Sequence, residues 1–403
     1  MRYRMIFSWP VAVLLCLVLM GCHRAAPVPL PHDAYVWQRA WTPAVTDALR
    51  ESGGAIHAWR VLAAQTDAAG RLRRFAPDRA ALAASGKPVV LVVRIDGQLQ
   101  AWDEQALLAD TLALWRDWQD GGVPLAGLEI DHDCGTARLP AYADFLARLR
   151  AALPAQARLS ITALPAWLRS PVLGRVLAAV DASVLQVHAV RDPRAGLFDP
   201  ALARQWAADY AMRSDKPFLL ALPNYGSRVS WDAEGRLASV ASEAAVLDAR
   251  EDARELLAQP RQLAAFLRAL QADPPPHLQG IAWFRLPTAQ DLRAWSLPTW
   301  LAVIRGEPLR AQVDASLRRG DAAGGYDVQL YNAGRVDAAL PARVGLPAGC
   351  SLADGVNGYR LRMDGRTPAL ERAQPGLLRA GHRRTIGWAR CGAADEGAWH
   401  VEP

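Results

Sequence analysis

Three carboxylates occupy alternate positions in one short run, Leu125-Ala126-Gly127-Leu128-Glu129-Ile130-Asp131-His132-Asp133-Cys134. Successive side chains of an extended strand point to opposite faces, so Glu129, Asp131 and Asp133 share one face. Leu128, Ile130 and His132 share the other. Residues two apart lie roughly 6–7 Å apart along the strand. Carboxylates gathered on one buried face repel one another, which raises the pKa of at least one of them. A carboxyl still protonated near neutral pH can serve as a general acid, with an ionised neighbour as its partner. A structural alternative is a salt-bridged polar layer inside the fold, to which Arg94, Asp96 and Arg285 would belong, with the arginines satisfying the acids.

Read as a metal site, Asp131-His132-Asp133 fails on geometry. His132 faces away from both acids, and no His-x-x-x-His pair completes a zinc set. No metal is therefore expected. The sequence has no P-loop, no Rossmann glycine fingerprint and no Gly-x-Ser-x-Gly elbow, so no cofactor is expected either.

The acids need elements to position them. Short apolar runs alternate with helical patterns from residue 32 to about 305. The runs are Ala34–Gln38, Ile56–Leu62, Pro88–Ile95, Leu125–Asp133, Leu159–Leu164, Val184–Val190, Phe218–Pro223 and Gly280–Leu286. Most are rich in Val, Ile or Leu and bounded by Gly, Pro or Asp, as buried parallel strands are. Thr42-Pro43 offers an N-cap and a first-turn proline, and Gly86 can end a helix begun at Pro77. Helical patterns also occupy Pro200–Arg213, Pro260–Gln271 and Asp291–Arg305. Eight strand–helix units in roughly 270 residues predict an α/β fold, a (β/α)8 TIM-type barrel over 32–305. A doubly wound sheet would open with a Gly-rich first turn, which is missing. The stretch Ser227–Glu255 predicts a loop and an extra helix over the catalytic end. After Gly306 no helical period is sustained. Short strand runs and turn residues such as Asn332-Ala333-Gly334 predict a small all-β sandwich over 306–403. Cys350 and Cys391 both fall there and are expected to pair, the alternative being two buried thiols.

In such a barrel the C-terminal strand ends build the site. Those ends carry Tyr35 and Trp37 on strand one, His57 and Trp59 on strand two, and Arg94 and Asp96 on strand three. Gln186 and His188 end strand six, Asn224 and Tyr225 follow strand seven, and Trp283 and Arg285 lie on strand eight. Aromatic faces, amides and hydroxyls around carboxylates suit a sugar: stacking for the ring, hydrogen bonds for its hydroxyls. Core packing is the competing reading for Trp37, Trp59, Trp167 and Trp283.

The strand-four motif resembles the signature of family-18 chitinases, in which alternating acids end in a catalytic carboxylate. The resemblance implies that Asp133 protonates the glycosidic oxygen and that Asp131 orients an N-acetyl group. Trp283 would match a sugar-stacking tryptophan. The chain departs from that family in ending its motif on aspartate, not glutamate. A longer stretch resembles an uncharacterised bacterial family of secreted barrel proteins, known as a domain of unknown function (DUF3142-like). That resemblance rests on Gly127–Cys134, Leu159–Trp167, Gln186-Val187-His188 and Trp283–Pro287, and it implies a barrel without an established reaction.

The N-terminus bears on location. Arg2 and Arg4 precede an apolar stretch, Ile6 to Met20, too short to span a bilayer comfortably. It ends in Leu19-Met20-Gly21-Cys22, which resembles a bacterial lipoprotein signal; an ordinary secretory signal or an anchor helix is the alternative. The resemblance implies cleavage of residues 1–21, lipidation of Cys22, a Pro-rich tether over 22–31 and membrane anchoring. His23, where many inner-membrane lipoproteins carry aspartate, points to the outer membrane, facing the periplasm. Losing Arg2 and Arg4 lowers the formal charge from +6 to +4. Nearly all basic residues are arginines scattered among acids, so no nucleic-acid partner is expected. With 51% hydrophobic and 21% charged residues, the 403-residue chain can bury a sizeable core and is not disordered. Fifteen tryptophans are a high count, in part barrel packing, and those at strand ends are the fraction that suggests a sugar.

These readings converge on an envelope-anchored, glycoside hydrolase-like barrel acting on a glycan. Asp133 would be its general acid, Asp131 the partner carboxylate and Glu129 a supporting acid. The competing reading is a non-catalytic carbohydrate-binding or scaffold lipoprotein that keeps the barrel without turnover.

Overall fold

The computed structural model describes residues 29–402 except 100–101, 189–195, 233–236, 242–252, 292, 321–324, 348, 365–366, 375 and 393–399. The expected signal, Cys22 and most of the tether lie outside the described residues.

Eight parallel strands close into a barrel. They are β1 (His32–Val36), β2 (Trp59–Thr66), β3 (Val89–Ile95), β4 (Leu125–His132), β5 (Arg158–Ala163), β6 (Ala182–Gln186), β7 (Phe218–Pro223) and β8 (Leu278–Phe284). Closure is explicit in the register: β1 pairs with β8 through Ala34 and Trp283, and with β2 through Ala34 and Trp59. The α/β (β/α)8 reading of the sequence is thus correct.

The strands form where they do because burial on both faces selects β-branched residues. β3, Val-Val-Leu-Val-Val-Arg-Ile, is buried along nearly all its length. Outward residues such as Val61, Leu91, Leu128, Ile130, Ile161 and Leu220 pack under the helices in the main core. Inward residues form a second cluster, with Leu62, Val92, Val184 and Ala282 beneath Tyr35 and Trp37.

Caps start the helices where strands end. Asp78, Asp103, Asp199 and Ser296 each accept a backbone N–H of the first turn. Pro43, Pro200 and Pro260 open their helices without wasting a donor. Gly86, at φ +64°, stops the helix Arg79–Ala84 ahead of β3. Two local expectations are corrected. Thr42 precedes the helix Pro43–Ser52 but caps nothing; its hydroxyl bonds the Gln290 side chain instead. The last barrel helix begins at Leu297, not Asp291, because the Asp291 carboxylate folds a turn by accepting the Arg293 and Ala294 N–H groups.

The insertion after β7 is described in part. Its described residues form three antiparallel strands, Gly226–Trp231, Leu237–Ala241 and Ala253–Leu257, and the expected extra helix is not among them. Ser227, Val229 and Ser230 of its first strand are all buried. Residues 242–252 lie outside the described residues.

Beyond the barrel, two antiparallel four-stranded sheets share a core. One contains Val313–Arg319, Gly325–Asn332, Arg383–Cys391 and Cys350–Gly355. The other contains Tyr359–Asp364, Thr367–Arg372, Arg343–Gly345 and His400–Glu402. Val328, Leu330 and Ile386 from the first meet Val344 and Leu370 from the second in that core. Arg379 ties this unit to the barrel, donating to the carbonyls of Asp291 and Ala294 at 3.0 and 2.7 Å.

Cys350 and Cys391 are disulfide-bonded across neighbouring strands, 41 residues apart in sequence. A loop of that length implies a stabilisation on the order of 4 kcal/mol through the unfolded chain. The Cys350→Ala, Cys391→Ala double variant should lower the unfolding free energy by up to that amount, read from chemical denaturation under oxidising conditions. An unchanged denaturation midpoint would refute this.

Candidate functional site

β4 delivers its three acids to three depths of the barrel. Glu129 is fully buried (0% exposed) and accepts from the Tyr35 hydroxyl at 2.7 Å and the Ser160 hydroxyl at 3.1 Å. It also pairs with Arg60, which reaches on to Asp33 at 3.0 Å. Burial pushes the Glu129 carboxyl above its ordinary value, and Arg60 and the two hydroxyls pull it part of the way back. For Arg60, burial opposes the charge, but Glu129 and Asp33 outweigh it and the guanidinium is held more firmly protonated. A buried ion pair of this kind does little for net stability, yet losing one partner strands a charge in the core.

Two residues on, Asp131 is almost as buried, but its partners differ. It accepts from Arg94 at 2.7 Å and from the Thr162 hydroxyl at 2.7 Å. Asp133, just past the strand end, is partly open. The Gln186 amide donates to its Oδ1 at 2.9 Å, and the second Arg94 nitrogen lies 3.7 Å from Oδ2. Burial, reinforced by the negative charge of Asp131, raises the Asp133 carboxyl to about 7 against the pull of Arg94 and Gln186. Gly97 makes room for this arrangement: a Cβ there would stand 2.2 Å from the Asp133 carbonyl oxygen.

Above the acids opens a cavity of about 260 Å³. Asp131, Asp133, Arg94, Thr162 and Gln186 make its polar side. Tyr35, Trp37, Tyr225, Phe284 and His188 make its aromatic wall. These rings brace one another: Trp37 meets Phe284 edge-on at 5.0 Å, and His188 stacks on Phe284 at 5.9 Å. Arg94 lies over the Trp37 ring at 5.6 Å. Burial lowers the His188 pKa to about 4, so its ring is neutral at physiological pH. The volume matches about one sugar ring, near the small end of ligand pockets.

The structure therefore brings together Tyr35, Trp37, Arg94, Asp131, Asp133, Gln186, His188 and Tyr225, with Glu129 beneath them. Four expected residues fall elsewhere. Trp283 is fully buried (0% exposed) outside the barrel, where its indole donates to His32 and packs near Trp295 and Trp300. It sits one residue out of phase with the interior, and Phe284 is the aromatic that faces the cavity. The Phe284–Arg285 peptide is cis. Arg285 turns to Asp291, at 2.6 Å, and holds the β8 loop. Asn224 is buried behind the site, donating to the Arg285 carbonyl at 2.8 Å. Asp96 closes a turn by accepting the Gln98 N–H, so only its charge reaches Asp133. Of the other tryptophans, Trp59 and Trp167 are core: one donates to Ser85, the other to the Cys134 carbonyl. His57 pairs with Asp33.

Thr162 and Phe284 were not anticipated. Thr162 left a signal, since Ser160 and Thr162 alternate on β5 as the acids do on β4. Phe284 required the phase of β8, where small Gly280 and Ala282 precede it on the inward face. His132 faces the helices, its Nδ1 3.1 Å from the Ile95 carbonyl. Among the described residues no cluster of three or more His, Cys, Asp or Glu could hold a metal ion.

The family model described as Domain of unknown function (DUF3142) matches residues 85–289, a span that contains β4 and its acids. The chain belongs to this family. A second model, Domain of unknown function (DUF8456), matches residues 315–392. No curated protein matches the sequence. The fold of this chain is similar to that of several solved structures. The spore cortex-lytic enzyme SleL of Bacillus megaterium shares 12% identity at a TM-score of 0.51, covering 70% of this chain and 75% of its own. SleL of Bacillus cereus shares 12% at 0.49 over 70% and 75%. A family GH18 chitinase from Chromobacterium violaceum shares 11% at 0.45 over 94% and 91%. Identity this low speaks to the fold alone.

The raised Asp133 carboxyl carries a consequence for stability. Its folded value, about 7, lies above the ordinary 3.8, so in between the folded chain keeps a proton that the unfolded chain releases. The group therefore costs stability increasingly as pH rises from about 4 to about 7, and fully above that. Asp133→Asn should melt a few degrees above the wild type at pH 8 and within a degree of it at pH 4. Equal melting temperatures at pH 8 would contradict the raised carboxyl.

Proposed function

We propose that this protein is a glycoside hydrolase acting on a glycan, with Asp133 as general acid and Asp131 as its partner carboxylate. The observation that carries the reading is the inequality of two adjacent acids on a cavity floor. Asp131 is tied to Arg94 and Thr162, while Asp133 is partly open and titrates near neutral pH. A sugar ring against Trp37, Tyr225 and Phe284 would bring its glycosidic oxygen over Asp133.

The described carboxylates lining the cavity are Asp131 and Asp133, and both lie on the same strand end. A two-carboxylate displacement needs its acids on opposite sides of the scissile bond. The arrangement therefore favours substrate assistance by an N-acetyl group. Asp133 gives its proton to the glycosidic oxygen as the C1–O bond breaks. The acetamido oxygen, oriented by Asp131, bonds to C1. Water then attacks C1, returning a proton to Asp133 and releasing the acetamido group. Glu129 supports the floor from below.

The test is a turnover screen of the full chain in mild detergent on peptidoglycan, chitin-like and exopolysaccharide oligomers. Asp133→Asn should lower kcat by about 10²–10⁴-fold. Wild-type kcat should fall as pH rises through about 7, because the acid must hold its proton. Unchanged turnover in the variant would overturn the role of Asp133. Binding without turnover on every glycan would favour the scaffold reading.

The placement proposed is the bacterial envelope, with a lipid on Cys22 and the barrel facing the periplasm. It rests on the order of charge, apolar run and cysteine in residues 1–22. Metabolic labelling with a radioactive fatty acid should mark the wild type and not Cys22→Ser. Equal labelling of both would exclude that anchor.

A further inference from the structure

The sheet that contains the disulfide carries, on its outer face, a row of side chains that the barrel site does not use. Register sets Arg318 beside Asp327, Asp327 beside Trp388, and Trp388 beside Asp354. Residues directly opposite one another share a face. Their neighbours Val328, Ala353 and Ala389 turn inward to the β core. The row crosses all four strands, on the order of 14 Å at the usual inter-strand spacing.

Trp388 is 45% exposed although it lies on an inner strand of this sheet. An indole is normally among the better-covered side chains. Here carboxylates flank it on both sides, and the next row sets Leu352 opposite Arg390. Asp354 already accepts the Gly355 N–H through one oxygen. A protein partner would want a broad apolar centre, which one indole and Leu352 do not supply. Two carboxylates beside the ring oppose an anionic lipid surface. A single flat ring between hydrogen-bond acceptors matches a sugar, whose ring face is apolar and whose rim donates hydroxyls.

We propose that this row is a polysaccharide-binding surface, separate from the barrel cavity. Trp388 stacks on one pyranose ring. Asp327 and Asp354 accept hydrogen bonds from its hydroxyls, and Arg318 donates to the next sugar along the row. The ligand is an uncleaved polymer, held without covalent chemistry. This surface would keep the barrel near its polymer whether or not the barrel cleaves it.

Co-sedimentation of the full chain in detergent with chitin, cellulose and purified peptidoglycan sacculi tests the proposal. At least one of these should retain the wild type. Trp388→Ala should weaken that binding about tenfold, as loss of an anchoring aromatic does. Trp388→Phe should fall between the two, and the Asp327→Asn, Asp354→Asn double variant should weaken it by a smaller factor. Asp133→Asn should bind as the wild type does, which separates this surface from the catalytic reading. Melting curves of the Trp388 variants should match the wild type, since the ring is not core. Wild-type binding by Trp388→Ala, parallel loss in Asp133→Asn, or retention by none of the three polymers would overturn the proposal.

Discussion

The barrel interior is organised by one constraint: the run Glu129, Asp131, Asp133 puts two acids inside a closed barrel and a third, partly open, at its mouth. Burying an unpaired carboxylate is prohibitive, so each acid must find a cation or donors, or keep its proton. The chain uses all of these. Arg60 crosses from β2 to Glu129 and Asp33, and Arg94 crosses from β3 to Asp131. Hydroxyls from Tyr35, Ser160 and Thr162 complete the two deeper acids. The third acid is left with an amide and a distant guanidinium, and its proton makes up the difference.

Depth along a single strand thus sets the chemistry of otherwise similar groups. Glu129 is enclosed and structural. Asp131 is tied down but faces the cavity. Asp133 is open enough to meet a ligand and buried enough to titrate near neutral pH. A closed parallel barrel makes this gradient available because its strand ends are the only part of the interior that opens to solvent. The aromatic wall works with it by lowering the local dielectric and keeping His188 neutral.

The antiparallel unit meets the barrel on the same loop that follows β8. Arg379 bonds the carbonyls of Asp291 and Ala294, while the Asp291 carboxylate holds Arg285. Ala294 in turn bridges to Tyr225, a wall of the cavity. The two units are therefore joined through the loop that shapes one side of the site, so displacing the β unit would strain that wall.

The barrel was largely legible in the sequence because strands buried on both faces leave apolar runs too dense to mistake, and caps and prolines mark the helices between them. The acids of β4 were legible for a related reason: alternation is a local property, and three polar residues at period two name their own face. Phase across strands is not local. Whether Trp283 or Phe284 looks inward depends on how β8 pairs with β1 and β7, and one residue of shift exchanges the faces. Arg285 and Asp96 were likewise plausible by position, but short-range partners at Asp291 and Gln98 captured them. The row around Trp388 emerges only from the register of four strands brought together from distant parts of the chain. Sequence alone determined which residues could be acidic, apolar or aromatic neighbours along one strand. Tertiary structure decided which of them meet across strands, because strand register and barrel closure are set by the whole sheet and not by any segment of it.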